Sequence, residues 1–276
     1  MTCCFAVLVG CFQSKQVFTV NPDGSGKVVI ENTYSLKSPM NPDIPAKEAA
    51  LATIDDIFSK SEFESWKDVT CEIINDEKLI FKGTAYCPDI TKVDFMSLGG
   101  GESEQDDGGL TLEKQADGTL KLYNKSKKVE DKKLTDKEVD DIYKKKLKQH
   151  NTMKPMMAMM AIDSLEIEKT YRFSGTILKA TVYKKNSDGS YGLLLTGKSI
   201  TKAKDELISD EKAYKTIIKS DGPSGGKNVT MEKAYGGSPS LIIKNAEQIF
   251  DYKKEMEAAK AGMEAMKKKV IESLGK

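Results

Sequence analysis

Short runs of alternating apolar and polar residues, each ending at a turn, recur along the 276-residue chain. Three of the turns share one chemistry, at 21–26 (Asn-Pro-Asp-Gly-Ser-Gly), 117–119 (Asp-Gly-Thr) and 186–190 (Asn-Ser-Asp-Gly-Ser). Asp-Gly between strand-like runs predicts a β-hairpin, because glycine takes the positive φ that the turn requires. Segments 69–74 and 79–86 predict a further hairpin. The chain is therefore expected to be rich in antiparallel hairpins.

Apolar positions at helical spacing predict four helices between the hairpins. The first begins after Pro45, and the second begins at Thr135, which forms a capping box with Glu138. The third is predicted over about 203–219 and the fourth over about 246–274. Helices covering antiparallel strands give an α+β fold class, with hairpins or a meander packed against helices and a long helix at the C-terminus.

The order of these elements predicts a chain of successive segments. A sheet-plus-helix domain is followed by a helical, methionine-rich connector, a second region of hairpin and helix, and an amphipathic C-terminal helix. Glycine and acidic residues at 99–109 predict a loop inside the first domain. The four predicted segments are 16–125, 126–164, 165–245 and 246–276.

The first eleven residues are mostly apolar and end in the tetrad 8–11, Leu-Val-Gly-Cys. This tetrad resembles the lipobox of bacterial lipoproteins, in which the chain is cut before the cysteine and the thiol carries a diacylglycerol. The resemblance implies a signal-peptide remnant at 1–10, a lipidated Cys11 and a short polar tether at 11–15. Secretory signals begin with a cationic region, and none precedes Lys15, so we expect translation to start upstream of Met1. The alternative is a cytosolic chain that starts with an apolar strand.

A lipidated Cys11 implies that the protein is anchored in the cell envelope and has the membrane as a partner. Two or more acyl chains anchor a protein stably, whereas one binds only marginally. In this family an Asp after the cysteine retains the protein at the inner membrane. The chain has Phe12 there, so the resemblance allows an outer-membrane or periplasm-facing position in a Gram-negative host.

The N-terminal pattern carries a second resemblance. A hairpin from Val17 to Val29 with the turn at 21–26 is followed by a helix and a meander of strands. Over residues 16–125 this order resembles the folded domain of LppM-type actinobacterial lipoproteins and envelope lipoproteins of planctomycete type. The resemblance implies a fold similar to lipid-binding domains, and therefore a lipid as one class of ligand.

Charge and motifs exclude several function classes. Basic and acidic residues are balanced at 43 and 42, which argues against nucleic acid as a partner, because nucleic-acid binders need a basic excess. The single histidine, His150, lies outside any nucleophile motif, and the chain lacks the common phosphate-binding and zinc-protease motifs. We therefore predict no enzymatic activity and no cofactor, and we expect His150 to be exposed and idle.

Cys71 and Cys87 are the two cysteines beyond Cys11. An envelope protein could join them in a disulfide. If Cys71 faces Lys82 in the predicted hairpin, however, Cys71 and Cys87 lie on opposite faces of the sheet, because side chains alternate along a strand. A bulge would restore the pairing, so both states of the thiols stay open.

A methionine cluster surrounds Pro155. Its members share one face of a predicted helix, and thioethers favour soft Cu(I). The plainer interpretation is a flexible apolar face that packs in the core, because methionine fills irregular gaps. The four candidate copper ligands are Met153, Met156, Met157 and Met160.

The C-terminal helix carries the clearest interaction pattern. Its apolar residues alternate spacings of three and four, which is the heptad pattern of a coiled coil. The helix could dock on the protein's own sheet, or it could mediate self-association or bind a partner helix. The residues of this heptad seam are Ile249, Tyr252, Met256, Ala259, Met263, Met266 and Val270.

Together these features predict a non-enzymatic binding or structural module at a membrane surface. Its ligand would be lipid, glycan or protein. The alternative is a scaffold that works through the C-terminal helix, and the third hypothesis is a hydrolase without a recognisable motif.

Overall fold

The computed structural model describes residues 13–37, 43–93, 110–124, 134–159, 162–222 and 226–274. The strands are β1 (Gln13–Val20), β2 (Gly26–Ser35), β3 (Ser65–Ile74), β4 (Lys78–Cys87), β5 (Leu110–Lys114), β6 (Leu120–Asn124), β7 (Glu166–Arg172), β8 (Thr176–Thr181), β9 (Lys184–Lys185), β10 (Tyr191–Thr196) and β11 (Ser240–Lys244). The helices are α1 (Ala46–Ser59), α2 (Asp136–Met159), α3 (Gly197–Ser209), α4 (Glu211–Asp221), α5 (Gly226–Tyr235) and α6 (Tyr252–Ser273). The predicted α+β class is confirmed.

Two sheets organise these strands. The larger has the order β3-β4-β2-β1-β7-β10-β9, and the smaller has the order β5-β6-β11-β8. Strand β1 lies inside the larger sheet, where it pairs antiparallel with β2 and parallel with β7. Both sheets therefore combine strands from the predicted segments 16–125 and 165–245. These segments are not two separately folded sheets, because each supplies strands that the other needs.

One main core lies between the sheets and under α1 and α6. Alternate residues of β1 and β2, such as Phe18 and Val28, point into it and are fully buried. Leu122 and Leu241 of the smaller sheet belong to the same cluster. A second, smaller cluster joins α2 to the helices that follow β10. Its buried members are Val139, Tyr143, Leu207, Ile208, Tyr214 and Ile218.

The three predicted Asp-Gly turns form, and they have the same internal hydrogen bonds. In the turn at 21–25, the Asp23 carboxylate accepts from the backbone N–H and the hydroxyl of Ser25, at 3.0 and 2.7 Å. The turns at 117–119 and 186–190 repeat this pattern. Their glycines have φ between 81° and 90°, a conformation that costs other residues energy. The turn prediction is confirmed because these interactions are local.

The predictions of the first helix and of the start of the second are confirmed, and the prediction of the third is wrong. The capping box is confirmed, with Thr135 N–H donating to Glu138 Oε2 at 2.8 Å and Glu138 N–H donating to Thr135 Oγ1 at 3.3 Å. The single helix predicted over about 203–219 is wrong. It starts earlier, at Gly197, and Asp210 divides it into α3 and α4, since the Asp210 carboxylate accepts from Ala213 N–H and caps a new helix.

The last helix begins later than predicted, and α5 was not predicted at all. Asp251 caps α6 by accepting from Lys254 N–H at 3.1 Å, so residues 246–250 lie outside the helix. The predicted loop 99–109 lies outside the described residues.

The β3–β4 hairpin corrects the predicted register. Asn75 and Asp76 adopt positive φ values of 53° and 54°, and Ile74 pairs with Lys78, one residue away from the register that puts Cys71 opposite Lys82. Cys71 therefore lies opposite Phe81. This places it on the same face as Cys87, so the predicted opposite placement is wrong.

Cys71 and Cys87 are nevertheless free thiols. Cys87 lies six residues beyond Phe81 along β4, or about 20 Å at the usual rise of a strand. A disulfide requires Cα atoms within about 7 Å, so this distance prevents a bridge.

We expect both thiols to resist alkylation in the native protein at pH 7.5. Burial raises the pKa of Cys71 and of Cys87 to about 12, and only the thiolate is the nucleophile. Mass spectrometry after a maleimide pulse should show labelling of both residues in urea and little labelling without it. Fast labelling of Cys87 under native conditions would contradict its burial.

Candidate membrane anchor and interaction sites

The predicted lipidation site, Cys11, lies outside the described residues, but the residues that follow it are well defined. Strand β1 begins at Gln13, so the polar tether predicted over 11–15 overlaps the sheet. Ser14 is only 1% exposed, and its hydroxyl donates to Asn32 Oδ1 at 2.6 Å. The prediction failed because three polar residues in a row resemble a linker, whereas two of them face solvent and Ser14 has a partner inside the sheet.

Four polar side chains form a strip on the inner face of β1 and β2. This polar strip consists of Ser14, Gln16, Asn32 and Tyr34, each at most 3% exposed. Gln16 Nε2 donates to Ser14 Oγ at 2.8 Å, and Asn32 Nδ2 donates to the Tyr34 hydroxyl at 2.7 Å. Such side chains are stable in a core because they bind one another.

One acceptor of the polar strip has no hydrogen-bond partner among the described residues. Among the described residues, none donates a hydrogen bond to Gln16 Oε1, and a buried acceptor without a partner costs about 1–3 kcal/mol. Burial raises the pKa of Tyr34 far above its ordinary value, so its hydroxyl stays neutral. The polar strip is thus uncharged, it contains one acceptor that no described residue satisfies, and it contains no activated nucleophile. The sequence signal was the pair of polar residues at alternate positions of β1.

The heptad seam of the C-terminal helix faces the protein's own core. Ala259 and Val270 are 4% and 3% exposed, and Met263 and Met266 pack against the main core. Tyr252 and Met256, the other two seam residues in the helix, are half-buried. Ile249 precedes the helix and is 40% exposed. Of the two arrangements left open by the sequence, the structure has α6 docked on the same chain along edge strand β3.

Polar contacts hold the beginning of α6 against the larger sheet. Glu255 Oε2 lies 2.7 Å from Lys27 Nζ and accepts from the Tyr86 hydroxyl at 3.1 Å. Burial alone would raise the pKa of Glu255, but the hydrogen bonds from Lys27 and Tyr86 lower it below its ordinary value. The Tyr252 hydroxyl donates to Glu64 Oε2 at 2.8 Å. The heptad pattern of the sequence did not predict these polar contacts at the start of α6.

The turn at 21–25 also holds the segment that leads into α6. Asn21 is fully buried, and its Oδ1 accepts from Ile249 N–H at 3.0 Å, while its Nδ2 donates to Phe250 O at 3.2 Å. Asn186, at the equivalent position of the turn at 186–190, is exposed and donates to Ser190 Oγ at 3.0 Å. Two turns with the same internal hydrogen bonds therefore have different tertiary roles.

His150 is not the exposed, idle residue that the sequence suggested. It is only 6% exposed, and its Nε2 lies 2.8 Å from Asp205 Oδ1. The Lys154 ammonium, 2.9 Å from Asp205 Oδ2, and then His150 lower the pKa of Asp205. No described residue binds His150 Nδ1. The prediction was wrong because the lysine-rich stretch before His150 suggested an exposed surface, whereas the His150 side chain contacts Asp205 and so joins α2 to α3.

The methionine cluster lies at the end of α2. Met153 is half-buried there, and the backbones of Met156 and Met157 continue the helix to its last residue, Met159. Met160 lies outside the described residues. The copper hypothesis stays a prediction.

No protein-family model matches the chain, and no curated protein matches it. Among solved structures, the chain is similar to the folded domain of LppM from Mycobacterium tuberculosis, determined by NMR, with a TM-score of 0.32 and 11% sequence identity. The similarity covers 68% of this chain and 84% of the LppM domain. A TM-score of this size carries no argument about ligand or activity.

Hydropathy adds one observation about the membrane. Within the described parts of the chain, no helix combines the length and the apolar character needed to cross a bilayer.

Proposed function

We propose that this chain is a lipid-anchored protein of the bacterial cell envelope, and that its folded domain is a non-enzymatic binding or structural module. The observation that carries the proposal is the lipobox tetrad ending at Cys11, followed almost at once by strand β1 at Gln13. An acylated residue in this position would hold the whole domain at a membrane surface. Lipid, glycan and protein are the ligand classes that a domain in this place meets.

The polar strip supports the binding part of the proposal. Apolar residues at these inward positions would complete the core, yet the chain has four polar side chains there, and one of their acceptors has no partner among the described residues. Natural proteins depart from the most stable choice mainly at sites that serve a function. Gln16 Oε1, the acceptor that no described residue satisfies, would suit a neutral donor group of a ligand.

We expect a fatty-acid probe to label the protein in growing cells, and Cys11→Ser to abolish the label. The physical reason is that the acyl chains are attached through the Cys11 thiol. Cys71→Ser is the matched control and should leave the label and the membrane-fraction location unchanged. Click detection of an alkyne fatty acid on the immunoprecipitated protein is the measurement. Equal labelling of wild type and Cys11→Ser would refute the anchor.

A further inference from the structure

We propose that the protein faces the membrane with one defined end of the larger sheet. This proximal end contains the start of β1 at Gln13, the start of β7 at Glu166, the end of β10 at Thr196 and the start of β4 at Lys78. The inference rests on the proposed lipid at Cys11. It goes beyond that proposal, because a lipid anchor alone does not determine the orientation of the domain relative to the membrane. The occupant of this surface is the lipid bilayer.

The length of chain between the anchor and the sheet carries the argument. Only Phe12 separates Cys11 from Gln13, and two residue steps span at most about 7 Å. A tether this short prevents the domain from turning another surface toward the bilayer.

The tether cannot lengthen by fraying of β1. The strand is paired on both sides from Gln13 onward, with β2 and with β7. Ser14 and Gln16 are each 1% exposed and belong to the hydrogen-bonded polar strip. Releasing them would break two ladders and expose the core, so Gln13 remains the first fixed residue.

The opposite, distal end of the sheet is well separated. It carries the turns at 21–25 and 186–190, which precede β2 and β10. The 3-10 turn Ile90–Lys92 lies at the same end, because Ile90 N–H donates to Gly24 O at 2.9 Å. Strand β1 has eight residues, so about 25 Å separate the two ends.

Charge at the proximal end does not favour anionic lipid. Lys37 and Glu77 form an ion pair at 2.8 Å, and the exposed residues Lys78 and Glu166 carry opposite charges. We therefore attribute the orientation to the tether, and expect it to be the same on neutral and on anionic membranes.

Fluorescence quenching in vesicles tests the orientation. The acylated full-length protein carries a fluorescent maleimide at Lys78→Cys or at Lys92→Cys, a matched pair of exposed lysines. The vesicles contain phosphatidylcholine with a nitroxide on a fraction of the headgroups. We expect at least about threefold stronger quenching at position 78, because the sites are about 30 Å apart along β4.

A lengthened tether provides the control. Sixteen Gly/Ser residues inserted between Phe12 and Gln13 add an average reach of about 22 Å, and should bring the quenching ratio close to one. Flotation with the vesicles reports the anchor separately from the orientation. A protein that floats but shows equal quenching at both positions refutes the orientation alone, and a ratio that requires phosphatidylglycerol refutes the tether as its cause. A protein that does not float refutes the lipid at Cys11, and this inference with it.

Discussion

Asn21→Ala should lower the free energy of unfolding by about 3 kcal/mol, whereas Asn186→Ala should lower it by about 1 kcal/mol or less. Both residues start turns with the same internal hydrogen bonds. Only Asn21 also binds the backbone of Ile249 and Phe250, and only Asn21 is fully buried. The alanine leaves a partly buried N–H and C=O without a partner, and each such group costs about 1–3 kcal/mol.

Urea unfolding of the two variants measures this difference. The turn contribution is common to both, so the difference between them isolates the contact with the segment before α6. Hydrogen exchange provides a second measurement, since Asn21→Ala should speed exchange in the first turn of α6 while Asn186→Ala leaves it unchanged. Equal destabilisation by the two substitutions would show that the contact at Ile249 and Phe250 contributes nothing to stability.

Alanine at Gly197 should destabilise the protein by about 3 kcal/mol, because overpacking a rigid site forces the backbone to move. A Cβ at Gly197 would overlap the carbonyl group of Ile162 and crowd Asp163 Cα at 3.1 Å. These are backbone atoms, so no side-chain rotation relieves the clash. The Gly197 N–H also donates to Leu165 O at 2.8 Å, which holds the two segments close together.

Gly262→Ala is the matched substitution with the opposite expected sign. Gly262 is exposed in the middle of α6, and a Cβ there meets no atom of a described residue within 4 Å. Alanine should stabilise the helix by about 0.5–1 kcal/mol, because it loses less conformational freedom on folding than glycine. Thermal and urea unfolding of both variants measure the change in the free energy of unfolding, which should be negative for Gly197→Ala and positive for Gly262→Ala. A stable Gly197→Ala protein would mean that the start of α3 does not approach Ile162 as closely as the structure shows.

The elements that the sequence predicted correctly are those defined by neighbouring residues. The Asp-Gly turns and the Thr135–Glu138 capping box need only side chains within a few positions of one another. Their energies do not depend on the rest of the chain, so a local pattern is sufficient to find them. The capping Asp210 was also local, but a continuous helical pattern across it concealed the break between α3 and α4.

The errors arose where distant residues decide the outcome. Ser14 looked like part of a polar tether, but Asn32 in the next strand provides its partner. His150 looked exposed because Asp205, its partner in another helix, is 55 positions away. The β3–β4 register is a local exception, because Asn75 and Asp76 lie in the hairpin turn itself and their positive φ values shift the pairing by one residue. For Ser14 and His150 the favourable interaction becomes available only after the chain has folded back on itself.

The sequence by itself determined the α+β class and the hairpin turns. It also located the candidate lipidation site and the seven apolar residues of the heptad seam. Tertiary structure decided that segments 16–125 and 165–245 share their sheets, and that the seam covers the protein's own edge strand. It also decided that Cys11 lies two residues from a strand paired on both sides. Local patterns specify which face of an element is apolar. What covers that face depends on long-range packing, which no short stretch of sequence contains.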